Sequence, residues 1–124
     1  AFVVHGHDGL DEISVCAPTR ISELNAGAVR TYDITPEQFL GRRAARADIA
    51  GGDPAQNAAV TRSILNGDSG AGRDVVLLNA AAGLVAAGRA ETLEAGVRLA
   101  GESIDSGAAR GTLDALVRFT RTNG

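Results

Sequence analysis

One boundary constrains this chain more than any other. Near Thr35-Pro36 the hydrophobic pattern changes from that of strands to that of helices. Upstream, Phe2-Val3-Val4 is an apolar strand candidate, and Ile13-Ser14-Val15 alternates as a half-buried strand does. Cys16 falls in that second candidate, and Pro18 interrupts pairing there, which implies an edge or a bend. Arg20–Leu24 and Val29–Ile34 flank Asn25-Ala26-Gly27, a hairpin-like turn, with Tyr32 and Ile34 on one face.

Downstream the punctuation is helical. Thr35-Pro36-Glu37-Gln38 reads as a capping box, with Thr35 at the N-cap, opening a short helix that ends near Gly41. Asp53-Pro54-Ala55-Gln56 repeats that logic for a helix running to Asn66, with Gly67 at its C′ position. Residues 73–87 are apolar nearly all round, which implies a helix buried on most sides. Thr92 caps a helix with Leu93, Val97, Ala100 and Ile104 on one stripe, ended by Gly107. A last helix over 108–120 gathers Leu113, Leu116, Val117 and Thr120. Short glycine links between these helices predict antiparallel packing. Taken alone, the order of elements reads as α+β.

Composition narrows what such a chain can do. Aromatic residues are 3% of the total and Trp is absent, so Ala, Val, Leu and Ile must build the core. Net charge is −3 and every cation is Arg, which leaves no basic stripe for a nucleic acid. One Cys excludes an internal disulfide, and Cys16 reads as a small structural residue rather than a nucleophile. The longest apolar run, 75–87, is broken by Asn79 and too short to span a bilayer. These features predict a cytoplasmic protein with no membrane partner.

Several segments admit a functional and a plain reading. Arg42, Arg43 and Arg46 could bind phosphate, but the connector 42–52 reads as a solvated linker. The glycine-rich loop 67–72 could cradle phosphate; it lacks a Lys and follows no strand, so it reads as an inter-helix connector. Asn79 must be hydrogen-bonded if buried, and it reads as a polar staple between helices rather than a substrate contact.

The run His5-Gly6-His7-Asp8-Gly9-Leu10-Asp11-Glu12 carries the strongest chemical signal. A strand, a glycine turn and two adjacent carboxylates suit a ligand-facing loop. Mg²⁺ takes one or two protein carboxylates and fills its other positions with water and phosphate oxygen. His5 is a poorer ligand for an oxygen-seeking ion and reads as structural. Asp8 reads as a turn residue bonding backbone N–H groups, with a weaker claim on the metal, and His7 as exposed.

The string Val4-His5-Gly6, Asp8-Gly9-Leu10-Asp11-Glu12-Ile13-Ser14, then Pro18-Thr19, resembles the anthranilate phosphoribosyltransferases of tryptophan biosynthesis. So do Gly51-Gly52-Asp53 with Gln56-Asn57-Ala58, the block Arg73-Asp74-Val75-Val76-Leu77-Leu78-Asn79-Ala80-Ala81, and Ile104-Asp105-Ser106-Gly107-Ala108. Cys16-Ala17 departs from the Thr-Gly of the family and puts only that turn in question.

The resemblance implies an α/β fold in which helices cover a mixed sheet, of the nucleoside phosphorylase and phosphoribosyltransferase type. It implies that 1–124 is the C-terminal portion of that domain, with strands and a hairpin over 1–34 and helices over 53–121. The family's N-terminal helical domain and glycine-rich phosphate loop have no counterpart here, so this piece alone is expected to be inactive. The implied reaction moves phosphoribosyl from 5-phosphoribosyl 1-diphosphate to anthranilate, releasing pyrophosphate, with Mg²⁺ as cofactor. Asp11 and Glu12 match the family's metal-binding pair; no catalytic residue is assigned, and substrate-binding residues are expected upstream. The remaining partners implied are the missing N-terminal part and, for the complete enzyme, a second copy. Alternatives on the same fold are a nucleoside phosphorylase and a non-catalytic nucleic-acid-binding relative.

Overall fold

Three strands come first, and each pairs antiparallel with its neighbour in the chain. The computed structural model describes residues 1–123. Strand β1 is Phe2–Gly6, β2 is Thr19–Asn25 and β3 is Ala28–Ile34. The register sets Val4, Ile21 and Tyr32 side by side, and Gly6, Thr19 and Ile34 likewise. That face buries Thr19, Ile21 and Ile34, while Val3, Leu24 and Val29 lie exposed on the opposite one. On the outer face Ser22 bonds its directly opposite neighbour Thr31 at 2.9 Å, and Arg20 pairs with Asp33. Such cross-strand pairs hold the register of the sheet.

The hairpin turn is Ala26-Gly27, both at positive φ (49° and 79°), the geometry whose twist matches that of paired strands. The Ile13-Ser14-Val15 expectation fails: these residues belong to the loop between β1 and β2 and form no strand. All three are buried, which explains the apolar alternation without any ladder. Cys16 therefore sits in a bend, half-buried, with its thiol pushed up mainly by burial and also by Asp8 and Asp48.

Among the described residues five α-helices follow: α1 Glu37–Leu40, α2 Pro54–Leu65, α3 Ala71–Ala86, α4 Leu93–Asp105 and α5 Ala108–Asn123. A short 3₁₀ turn, Arg46–Ile49, interrupts the basic connector. The cap of α2 is as expected: Asp53 accepts the Gln56 N–H at 2.8 Å, and Gln56 accepts the Asp53 N–H at 2.9 Å. Only half of the first box forms. The Thr35 N–H donates to Gln38 Oε1 at 2.7 Å, but Pro36 is the N-cap residue and no side chain caps the helix; the Gln38 N–H goes to the Thr35 carbonyl at 3.2 Å. Thr92 caps α4 by accepting the Ala95 N–H at 3.2 Å.

Helix α3 explains its own composition. Leu78 faces a cluster with Ile13, Val15, Ile21 and Ile34 under the sheet. Leu77 faces a second cluster with Ala100 and Ile104 of α4. An element walled on both sides needs apolar residues around most of its circumference. Helices α3 and α4 run antiparallel: Arg73 pairs with Asp105, and Ala81 meets Gly96 further along. The contact is close enough that a Cβ on Gly96 would lie 2.8 Å from Ala81 Cα and 2.9 Å from its carbonyl oxygen. Backbone cannot yield as a side-chain tip can. Gly96→Ala is therefore expected to destabilise the chain by about 1–3 kcal/mol through overpacking, read as a lower urea midpoint with an unchanged slope. An unchanged midpoint would mean that α3 and α4 can separate at no cost.

Candidate functional site

The β1–β2 loop is built around Gly6 and Ser14. A Cβ on Gly6 would lie 2.6 Å from Asp8 Oδ1 and 3.2 Å from Ser14 Cβ, so glycine is what lets the loop fold back on the strand. The Gly6 N–H donates to the Leu10 carbonyl at 2.8 Å, and the Gly9 N–H donates to the Gly6 carbonyl at 2.9 Å. Ser14 is 1% exposed and fully used. Its hydroxyl donates to Asp8 Oδ2 at 2.8 Å and accepts the Cys16 and Ala17 N–H groups at 2.9 and 3.1 Å. Its own N–H donates to Thr19 Oγ1 at 2.9 Å. The turn at Cys16-Ala17 thus depends on main-chain groups, which is why other side chains can stand at those two positions.

Asp8 is a turn residue here, as expected, since one oxygen takes Ser14 and the other takes the Leu10 N–H at 3.5 Å. Burial pushes its carboxyl up, but the Ser14 hydroxyl, the two backbone N–H groups and Arg46 outweigh that and hold it below its ordinary value. His5 is exposed on the β1 edge, opposite Arg20. His7 is exposed as expected, and its Nε2 lies 3.5 Å from Asp33.

Asp11 and Glu12 stand apart from this network. Asp11 is exposed and Glu12 half-buried. Among the described residues neither carboxylate accepts a hydrogen bond or joins an ion pair. Nor do any three His, Cys, Asp or Glu side chains gather to form a complete metal cage among the described residues. The donor chemistry fits Mg²⁺: two adjacent oxygen ligands, uncommitted to protein partners, with room for water and phosphate oxygen.

The arginines of the connector are exposed, but each has a protein partner. Arg42 makes a two-bond pair with the buried Asp74, both at 2.9 Å. Arg43 pairs with Glu37 at 2.7 Å, and that guanidinium hydrogen bond holds the Glu37 carboxyl below its ordinary value. Arg46 Nη1 donates to the Asp8 carbonyl at 2.9 Å, tying the connector to the loop. The connector is solvated as expected, but its pairings went unread, because a run of Arg can be read from sequence and its scattered partners cannot.

Asn79 is a staple, though it joins α3 to the loop rather than to another helix. Its Oδ1 accepts the Ile13 N–H at 2.9 Å, and its Nδ2 donates to the Ile13 and Val75 carbonyls, both at 3.0 Å. Ser14, Arg46 and the Asn79–Ile13 bond are the supports that sequence reasoning missed. The glycine-rich stretch connects α2 to α3 as expected, although α3 already begins at Ala71, inside the expected loop.

Known proteins resemble this chain along its whole length. A match to the glycosyl transferase family, a/b domain, covers residues 1–110. The anthranilate phosphoribosyltransferase of Desulfosudis oleivorans is 62% identical over 125 residues, covering 100% of this chain and 37% of that protein. Among solved structures, anthranilate phosphoribosyltransferase from Thermus thermophilus superposes with a TM-score of 0.87 at 39% identity, over 98% of this chain and 36% of that one. The Saccharomyces cerevisiae enzyme in complex with PRPP and Mg superposes with a TM-score of 0.80 at 28% identity, over 91% of this chain and 33% of that one. This chain therefore spans about a third of the length of the relatives it matches.

The Asp8–Ser14 bond yields a direct test. Because the folded Asp8 carboxyl titrates below its unfolded value, its contribution is present above the unfolded pKa and lost as pH falls through the folded one. A ¹³C NMR titration is expected to put the Asp8 midpoint below that of an ordinary aspartate. Ser14→Ala should move it up. A midpoint indifferent to Ser14→Ala would remove the hydroxyl as a cause.

Proposed function

We propose a function from one premise: this chain belongs to the glycosyl transferase family, a/b domain, over residues 1–110. It forms the metal-holding part of an anthranilate phosphoribosyltransferase, a Mg²⁺-dependent glycosyltransferase of tryptophan biosynthesis. The reaction joins the amino group of anthranilate to the ribose carbon of 5-phosphoribosyl 1-diphosphate and releases pyrophosphate. One observation carries this reading. Asp11 and Glu12 are adjacent carboxylates without protein partners, on a loop where the side chains of Asp8 and Ser14 and the main chain of Ile13 are bonded within the protein.

The chemistry asks for charge control rather than a nucleophile. The leaving group departs with several negative charges, and the ribose carbon gains positive character. Mg²⁺, when bound, neutralises charge on the diphosphate oxygens. Asp11 and Glu12 would hold that ion from the protein side, leaving its remaining positions to water and substrate. Asp8 has the weaker claim on that ion, since its oxygens already accept the Ser14 hydroxyl and the Leu10 N–H. Under this proposal the rest of the site, including the anthranilate pocket, belongs to the two-thirds of the relatives' length that this chain does not span. The same reading puts the complete enzyme in the cytoplasm as a homodimer.

Two measurements test it. The 124-residue chain alone, with saturating phosphoribosyl diphosphate, anthranilate and Mg²⁺, is expected to give no product above a no-protein blank. Turnover by the pure chain would overturn the division of the site proposed here. The second uses a chimera in which this chain replaces the matching 125 residues of the Desulfosudis oleivorans relative. The double change Asp11→Ala with Glu12→Ala is expected to leave circular dichroism unchanged, because neither loop carboxylate has a protein partner to lose. Activity should fall by a factor of about 10–10³, and the Mg²⁺ concentration for half-maximal rate should rise. A well-folded double variant with wild-type rate and Mg²⁺ dependence would show that the pair does not hold the metal.

A further inference from the structure

Asp11 and Glu12 are joined by one peptide unit, and the peptide units on both sides of it are pinned. On one side, the Leu10 carbonyl accepts the Gly6 N–H at 2.8 Å, which fixes the Leu10–Asp11 plane to the end of β1. On the other, Asn79 grips Ile13, bonding its N–H at 2.9 Å and its carbonyl at 3.0 Å. The Ile13 N–H belongs to the Glu12–Ile13 peptide, so Asn79 fixes the plane that carries Glu12. From the geometry of these two anchors we propose that Asn79 is a positioning residue, holding the Glu12 side of the carboxylate pair in place for a divalent cation that carries a diphosphate. This rests on the reading of Asp11 and Glu12 as the ligands.

The amide of Asn79 can serve in one orientation only. Oδ1 faces an N–H, and Nδ2 faces two carbonyls, those of Ile13 and Val75. A flipped amide would set its own NH₂ against the Ile13 N–H and its oxygen against both carbonyls. The third bond, to Val75 in the preceding turn of the same helix, stops the side chain from rotating. Helix α3 is itself clamped by Leu78 under the sheet and by Gly96 against Ala81. The anchor is therefore a rigid helix, whereas the carboxylates lie on a loop. Removing a group bonded directly to a metal ligand costs about 10–100-fold in affinity; Asn79 acts one peptide away, through the Ile13 main chain, so the low end of that range is expected.

A role in the fold alone and a role in positioning separate experimentally. In the chimera described above, Asn79→Ala is compared with the Asp11→Ala, Glu12→Ala double variant and the parent. Binding of Mn²⁺ with phosphoribosyl diphosphate is read from the electron paramagnetic resonance signal of the free ion, and steady-state rates are followed over a Mg²⁺ titration. The expected result is an apparent Mn²⁺ affinity about 10-fold weaker for Asn79→Ala. The half-saturating Mg²⁺ should rise to match, and the rate at saturating Mg²⁺ should recover to near that of the parent.

If the double variant loses metal binding while folded Asn79→Ala keeps parental affinity, the positioning role is wrong and the metal site stands. The positioning role is also wrong if Asn79→Ala loses rate equally at every Mg²⁺ concentration. If the double variant binds metal like the parent, the site reading fails and takes this inference with it. Should Asn79→Ala fail to fold, Asn79→Asp carries the same comparison, since it keeps the acceptor for the Ile13 N–H and loses the donor. Hydrogen exchange of the parent supplies an independent check: the Ile13 amide should be protected to the level of the α3 core. Exchange at the rate of an open loop would overturn the clamp outright.

Discussion

The side-chain amide of Asn79 bonded to the main chain of Ile13 is the interaction on which the rest depends. Ile13 is 1% exposed and lies in no strand, so its N–H and carbonyl have no ladder to join. A buried polar group left unpaired costs about 1–3 kcal/mol, and Asn79 meets both groups at once. The amide stands in for the edge of a neighbouring strand. It lets an irregular loop bury Ile13 and Val15 against the sheet and against Leu78. The other polar ties between the strand half and the rest, Arg46 to the Asp8 carbonyl and the Ala44 N–H to the Val15 carbonyl, both come from the connector, so Asn79 is what bonds the loop to α3.

A second constraint is the closeness of α3 and α4. Ala81 against Gly96 brings the two backbones together, and small residues permit it at the cost of little buried area per residue. A chain with few aromatics has to gain its core this way. Ion pairs then fix the ends of the helical layer. Arg73 of α3 meets Asp105 of α4 at 2.8 Å, and Arg42 meets the buried Asp74 in the first turn of α3. An acidic group there also favours the positive end of the helix dipole. The order of the parts is thus a sheet, a loop stapled to a central helix, and further helices packed on that helix. The uncommitted carboxylates stand where the loop leaves the staple.

Much of this was legible in the residues. Period two with Asn25-Ala26-Gly27 marks the β2–β3 hairpin, and Asp53 and Thr92 mark two helix starts where their side chains do cap. The stripe Leu93, Val97, Ala100, Ile104 is the buried face of α4. What misled was burial without structure. Ile13-Ser14-Val15 alternates like a strand because it is packed, and packing alone leaves the same mark as a ladder. Thr35 misled for a related reason, since Pro36 moves the cap by one residue and leaves only the Gln38 half of the box.

By itself, the sequence determined the hairpin, the long helices and the carboxylate pair, because turn chemistry and periodicity act between residues close in the chain. Asp11-Glu12 stood out for the same reason: two acidic residues after a glycine turn form a local pattern. The tertiary structure alone decided which polar groups are spent and which remain. Asp8 is taken by Ser14, six positions on, and Arg42 by Asp74, 32 positions on. Ile13 is taken by Asn79, 66 positions on. Pairings at such separations depend on how the whole chain closes. No local rule reports them, nor that Asp11 and Glu12 are left without a protein partner.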